Sequence, residues 1–222
     1  MEIFMLCFEI VGTVAFALSG AMTGMRRGMD IFGICVLGMT TALAGGMIRD
    51  LILGITPPAT FSDPKYLVIA LSTSIIAFFP FVRRLFAKGR RTYETVMLIS
   101  DSAGLGIFTV YGAKVAIEAG YGDNLFLVVF VAVLTGVGGG VLRDVFAGDR
   151  PYIFVKHVYA SAALAGALVC VLTSRLISLD IGVIIGFAAV FAIRVCSAVF
   201  RWSLPKAKQL ASAEPSGDDD GR

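Results

Sequence analysis

Gly138-Gly139-Gly140-Val141-Leu142-Arg143-Asp144 stands in the middle of an otherwise apolar run from Leu125 to Gly148. Three glycines and a charged pair are out of place in an ordinary hydrophobic span. Glycine costs about 1 kcal/mol relative to alanine in a helix interior, and ionisable groups at membrane depth are expensive and usually functional. The same phrase occurs earlier, as Gly45-Gly46-Met47-Ile48-Arg49-Asp50 in the run from Ile31 to Gly54. Recurrence at matching places in the two halves argues for a mechanism.

Composition sets the class. Of 222 residues, 57% are hydrophobic and 16% charged, with a mean hydropathy of +0.86. So few charges exclude an ordinary soluble domain and indicate an all-α integral membrane protein whose first partner is the lipid bilayer. The first apolar run is not read as a signal peptide: a basic n-region is absent, Glu9 interrupts the run, and further spans follow. Cys7, Cys35, Cys170 and Cys196 have neither metal nor redox spacing and read as small core residues. The net charge of +3 comes from basic residues in loops, which speaks for topology and against nucleic acid as a partner.

A spanning helix needs about 20 mostly apolar residues. Seven segments qualify or nearly do: 3–24, 31–54, 66–82, 95–116, 125–148, 158–174 and 180–200. Residues 203–222, with two prolines and an Asp218-Asp219-Asp220 run, read as a disordered tail. With the N-terminus outside, the inner segments hold Arg26, Arg27, Arg83, Arg84, Lys88, Arg90, Arg91, Arg150, Lys156, Arg201, Lys206 and Lys208. The outer loops hold only Lys65, Lys114 and Arg175. That asymmetry predicts an N-terminus outside the cell membrane and a cytoplasmic C-terminus.

An internal repeat accounts for the number of spans. A shift of 94 lays Gly45, Gly46, Arg49, Asp50, Gly54 and Pro57 onto Gly139, Gly140, Arg143, Asp144, Gly148 and Pro151. A shift of 92 lays Glu9, Gly12, Phe16, Gly20 and Ala21 onto Asp101, Gly104, Phe108, Gly112 and Ala113. Three spans per copy is an odd number, so the second copy enters the membrane from the opposite side. The expected architecture is an inverted 3+3 repeat, residues 1–88 and 89–176, followed by a seventh helix at 177–202 and the tail.

The diglycine and triglycine predict kinked second and fifth helices near the midplane, where freed carbonyls and half-helix ends face a cavity. The competing reading is close helix contact of the small-residue kind. Matching the charges by depth predicts that Glu9 lies near Arg49 and Asp101 near Arg143, with Asp50 and Asp144 capping or bridging the same clusters. Thr13, Ser19, Ser100, Ser102, Thr109 and Tyr111 are candidates to line a path, with Thr40, Thr41 and Thr135 ahead of the glycines. Each hydroxyl has the competing fate of bonding to its own backbone. Lys114 reads as an interfacial snorkel or a positive gate, and His157 as an interfacial anchor. No histidine–cysteine cluster suggests a metal, no nucleophile has a base, and the triglycine lacks the Lys-Ser/Thr of a phosphate loop, so enzyme chemistry is the least supported class.

The duplicated GG-x-x-RD phrase on inverted three-span repeats resembles the trimeric intracellular cation (TRIC) channel family, some of whose prokaryotic relatives are labelled glycine transporters. The resemblance covers about residues 4–200. It implies a pore inside each protomer and a homotrimer passing monovalent cations, chiefly potassium, with no cofactor beyond the permeant ion. Carried onto this chain, the kinks fall at Gly45-Gly46 and Gly138-Gly139-Gly140, and Ala44 in place of a third glycine predicts a milder first kink. Inverted repeats with broken helices are equally the plan of secondary transporters. A carrier of a small solute such as glycine is therefore the rival, and a purely structural membrane protein the third possibility.

Overall fold

A computed structural model describes residues 2–80, 82, 89–155, 158–200 and 202. All regular structure among the described residues is helical: α1 (Glu2–Arg26), α2 (Ile31–Ile52), α3 (Ala59–Ser62), α4 (Lys65–Phe78), α5 (Arg90–Ala116), a π-helical turn (Ile117–Tyr121), α6 (Leu125–Phe146), α7 (Tyr152–Val155), α8 (Ala160–Leu176) and α9 (Leu179–Val199). The seven expected spans are α1, α2, α4, α5, α6, α8 and α9. Arg83, Arg84, Lys88, Lys156, His157, Arg201 and the tail lie outside the described residues.

Helix ends follow local chemistry. Asp30 and Asn124 accept the N–H groups of Gly33 and Leu127 at 2.8 and 3.0 Å and so start α2 and α6. Both helices stop alike. Gly54 and Gly148 adopt φ of +74° and +69°, and the next N–H bonds back to the carbonyl of Asp50 or Asp144 at 2.8 Å. α4 ends at Phe78 because Pro80 forces Phe79 into extended backbone (φ −56°, ψ 139°), and residues 80 and 82 beyond it are again helical. At 14 residues, α4 is about 21 Å long, short of a ~30 Å hydrocarbon core. α5 instead begins five residues before the expected 95, carried outward by Arg90 and Glu94, which pair at 2.8 Å.

The two copies pack alike. α4 lies against α1 and α2, while α8 lies against α5 and α6. α2 and α6 face each other at the centre, and α9, outside the repeat, lies on α8 and α5. At the central crossing, a Cβ on Gly45 would stand 2.2 Å from the Thr135 carbonyl oxygen, and one on Gly139 would stand 2.0 Å from that of Thr41. A shift of 94 exchanges the two contacts, so the crossing has the expected pseudo-twofold symmetry.

One expectation is corrected, that carbonyls are freed at the glycines. α2 and α6 each run as one continuous α-helix through their glycines, so no carbonyls are freed there. The glycines are used for close approach, since only a residue without Cβ lets one helix rest on the other's carbonyl.

Candidate functional site

Each copy builds one charged cluster on its second span. Arg143 is completely buried, with Nε 2.8 Å from Asp144 Oδ1 and Nη1 donating to Asp101 Oδ1 at 2.6 Å and Ser19 Oγ at 2.5 Å. The expected Asp101–Arg143 pair is present. The other oxygen of Asp144 accepts the N–H of Tyr152, the first residue of α7, at 2.8 Å. Arg49 and Asp50 repeat this arrangement: Nε lies 2.8 Å from Asp50 Oδ1, and Oδ2 accepts the N–H of Ala59, the first residue of α3, at 2.9 Å. The Arg-Asp dipeptide therefore fastens each central helix to the short helix beyond its turn, and the charge-assisted bonds neutralise a buried guanidinium locally.

The tyrosines match as well. Tyr159 Oη is 3.4 Å from Asp101 Oδ1, and Tyr66 Oη donates to Glu9 Oε2. A shift of 93 relates Tyr66 to Tyr159. Gly140 is needed to admit Tyr159, because a Cβ there would stand 2.6 Å from its hydroxyl, whereas one on Gly46 would meet nothing nearer than Arg49 Nη2 at 3.6 Å.

The copies differ at two places. Glu9 and Arg49 line one cavity and so lie near each other, but they form no ion pair. The physical reason is the residue between them. Ser19 in the Arg143 cluster corresponds to Tyr111 in the Arg49 cluster, and the Tyr111 ring lies 5.2 Å from the Arg49 guanidinium carbon, where Ser19 lets Arg143 reach Asp101. The second difference is Arg194 on α9, buried and 3.5 Å from Asp101 Oδ2, with its guanidinium carbon 4.8 Å from the Tyr159 ring centre. Arg194 was missed in the sequence, although an arginine inside an apolar span is the signal that picked out Arg143. Tyr66 and Tyr159 were missed because the repeat was traced through glycines and charges.

Two cavities approach the clusters from opposite ends. The inner one in the expected orientation, about 540 Å³, is lined by Arg26, Arg91, Met97, Asp101, Tyr152 and Arg194 among others. Arg26 and Arg27 both pair with Asp149 at its mouth, Arg26 at 3.0 Å. The outer one, about 60 Å³, includes Glu9, Thr13, Arg49, Thr60, Tyr66 and Tyr111. They share no lining residue. Phe16, 1% exposed and on neither cavity wall, occupies the notch left by Gly104, whose Cβ would stand 2.1 Å from the ring. Phe16 stacks on its repeat mate Phe108 at 5.3 Å between ring centres.

The remaining candidates are placed plainly. Thr13, Thr41 and Thr135 donate to carbonyls one turn back, those of Glu9, Leu37 and Val131. The hydroxyls of Ser102 and Thr109 are buried without a partner among the described residues. Lys114 pairs with Glu118 at 2.7 Å and lies 5.9 Å from the Tyr111 ring centre, beside the outer cavity but not on its wall.

Comparison with known proteins covers the whole helical region. A family model described as Glycine transporter matches residues 6–81 and 98–175, once in each half of the chain. The UPF0126 inner membrane protein YadS of Escherichia coli K12 is 35% identical over 198 residues, covering 88% of this chain and 91% of YadS. The crystal structure of a prokaryotic TRIC channel in 0.5 M KCl superposes with a TM-score of 0.83 at 33% identity, over 92% of this chain and all of that one. The TRIC trimeric intracellular cation channel orthologue from Rhodobacter sphaeroides does so with a TM-score of 0.81 at 32% identity, over 90% and 99%.

Proposed function

Because the chain belongs to the UPF0126 membrane-protein family with the TRIC channel fold, we propose that it is a passive channel for monovalent cations, chiefly potassium. The observation that carries this reading is the full-length match to solved cation channels at 33% identity, far above fold-level likeness. The cavities supply the ends of a path, and the Phe16–Phe108 stack closes it in this conformation, as apolar constrictions do by excluding water. The protein works as a homotrimer with one path per protomer, in the cell membrane, N-terminus outside and C-terminus in the cytoplasm. Loop charge supports that orientation.

A carrier of a small solute such as glycine is the second reading. The observation favouring it is the discontinuity of the cavities, since a solute bound at one end would need the other end to open in turn.

Planar-bilayer recording of the purified protein separates the two. The channel reading expects unitary currents that reverse at the potassium equilibrium potential, and saturable, counter-ion-coupled glycine uptake without such currents would overturn it.

A further inference from the structure

Glu9 and Asp101 occupy equivalent places in the two copies, yet their electrostatic surroundings differ. Asp101 lies among Arg143, Arg194 and Asp144, two positive and two negative groups that sum to zero. Glu9 is in none of the ion pairs among the described residues, and its neighbours are already committed. Arg49 is held by Asp50 at 2.7 Å, and Lys114 by Glu118 at 2.7 Å. Those two pairs cancel, so the carboxylate of Glu9 leaves the outer cavity with one uncompensated negative charge. The carboxylate accepts the Tyr66 hydroxyl but has no cationic partner among the described residues, and such a charge within a span attracts a cation.

We propose that the outer cavity is a binding site for one alkali-metal cation, held by the Glu9 carboxylate. This rests on the cation-channel reading of the same path. The hydroxyls of Thr13, Thr60, Tyr66 and Tyr111 on the cavity wall supply neutral oxygens; a hydroxyl that donates to an acceptor still offers lone pairs to an ion. Size fits: about 60 Å³ exceeds the ~10–15 Å³ that one water needs, so an ion enters with part of its water shell. Charge selects valence, because a single carboxylate answers one positive charge, whereas divalent sites recruit several carboxylates or keep a larger water shell.

The consequence is an electrostatically one-sided path. The outer mouth concentrates cations and the inner mouth, neutral at Asp101, does not, so cations entering from the Glu9 side carry the larger current at low salt. Wild type and Glu9→Gln are recorded in symmetric KCl at about 10 mM and about 1 M, where the screening length falls from ~30 to ~3 Å. The expected result is several-fold rectification in wild type at low salt, lost in Glu9→Gln and lost in wild type at high salt. Equal rectification and equal low-salt conductance in the two proteins would overturn the site while leaving the channel in place.

Binding is read separately from current. KCl raises the Tm of detergent-purified wild type above that in N-methylglucamine chloride of equal ionic strength, as a ligand of the folded state must. Glu9→Gln loses that difference and Tyr66→Phe, which keeps the charge, reduces it. If wild type shows no potassium-specific shift, the site is refuted even if no current is recorded. If wild type shifts without conducting, the site stands and the channel reading fails.

Discussion

Arg143 is wholly buried and reaches two carboxylates and a serine hydroxyl. Removing one partner of such a cluster strands the others, which costs about 3–5 kcal/mol in buried pairs. Arg143→Ala is therefore expected to lower the Tm of the detergent-solubilised protein sharply. Arg194→Met is expected to cost much less, because Asp101 keeps Arg143 at 2.6 Å while its contact to Arg194 is already 3.5 Å. Equal losses would mean that Arg194 and Arg143 share the neutralisation of Asp101 evenly. The Arg26 and Arg27 pairs with Asp149 are a different matter. With arginine side chains 47% and 41% exposed, such pairs contribute about 0–1 kcal/mol, and Asp149→Ala is expected to leave the Tm nearly unchanged.

At the scale of elements, the two central helices decide which glycines are indispensable. A methyl at Gly45 or Gly139 would enter a backbone carbonyl, and the only relief is to part α2 from α6. Gly45→Ala and Gly139→Ala are each expected to cost at least the ~1–3 kcal/mol typical of overpacking. Gly138→Ala meets only ordinary contact, 3.4 Å to Gly45 Cα, and merely reproduces Ala44 of the first copy. It is expected to be neutral or slightly stabilising, since alanine favours the helix. Thermal unfolding of the three variants checks the ordering. A comparable loss in all three would point to helix bending at the glycines in place of close approach. The repeat was legible in the sequence because its glycines, charges and prolines recur at a nearly fixed shift along the chain. The short helices α3 and α7 were not, since the proline turns ahead of them gave no sign that Asp50 and Asp144 reach over to hold their first N–H groups.

For the whole molecule, the matter is how the two cavities communicate. In the proposed path the Phe16–Phe108 stack is the closure, with Phe16 against Gly104 and the α2–α6 crossing close behind it. Phe16→Ala opens a void there, and potassium flux from loaded liposomes is expected to rise several-fold even though truncating a buried phenylalanine costs about 3–5 kcal/mol of stability. Unchanged flux in a folded variant would place the closure elsewhere.

Membrane residence, the number of spans and the inverted repeat were determined by the sequence alone, because hydropathy, glycine punctuation and an odd-span repeat are written along the chain. The importance of Gly45-Gly46 and Gly138-Gly139-Gly140 was equally visible, but their use was decided in three dimensions. An unwound helix and an intimate crossing ask for the same residue, and only the carbonyl of the opposing helix distinguishes them. Charge pairing was likewise decided by tertiary structure. Depth placed Glu9 near Arg49 and Asp101 near Arg143, but whether a pair closes depends on what stands between. A serine at position 19 and a tyrosine at position 111 gave opposite answers, while a seventh helix outside the repeat brought Arg194 to one carboxylate and nothing comparable to the other.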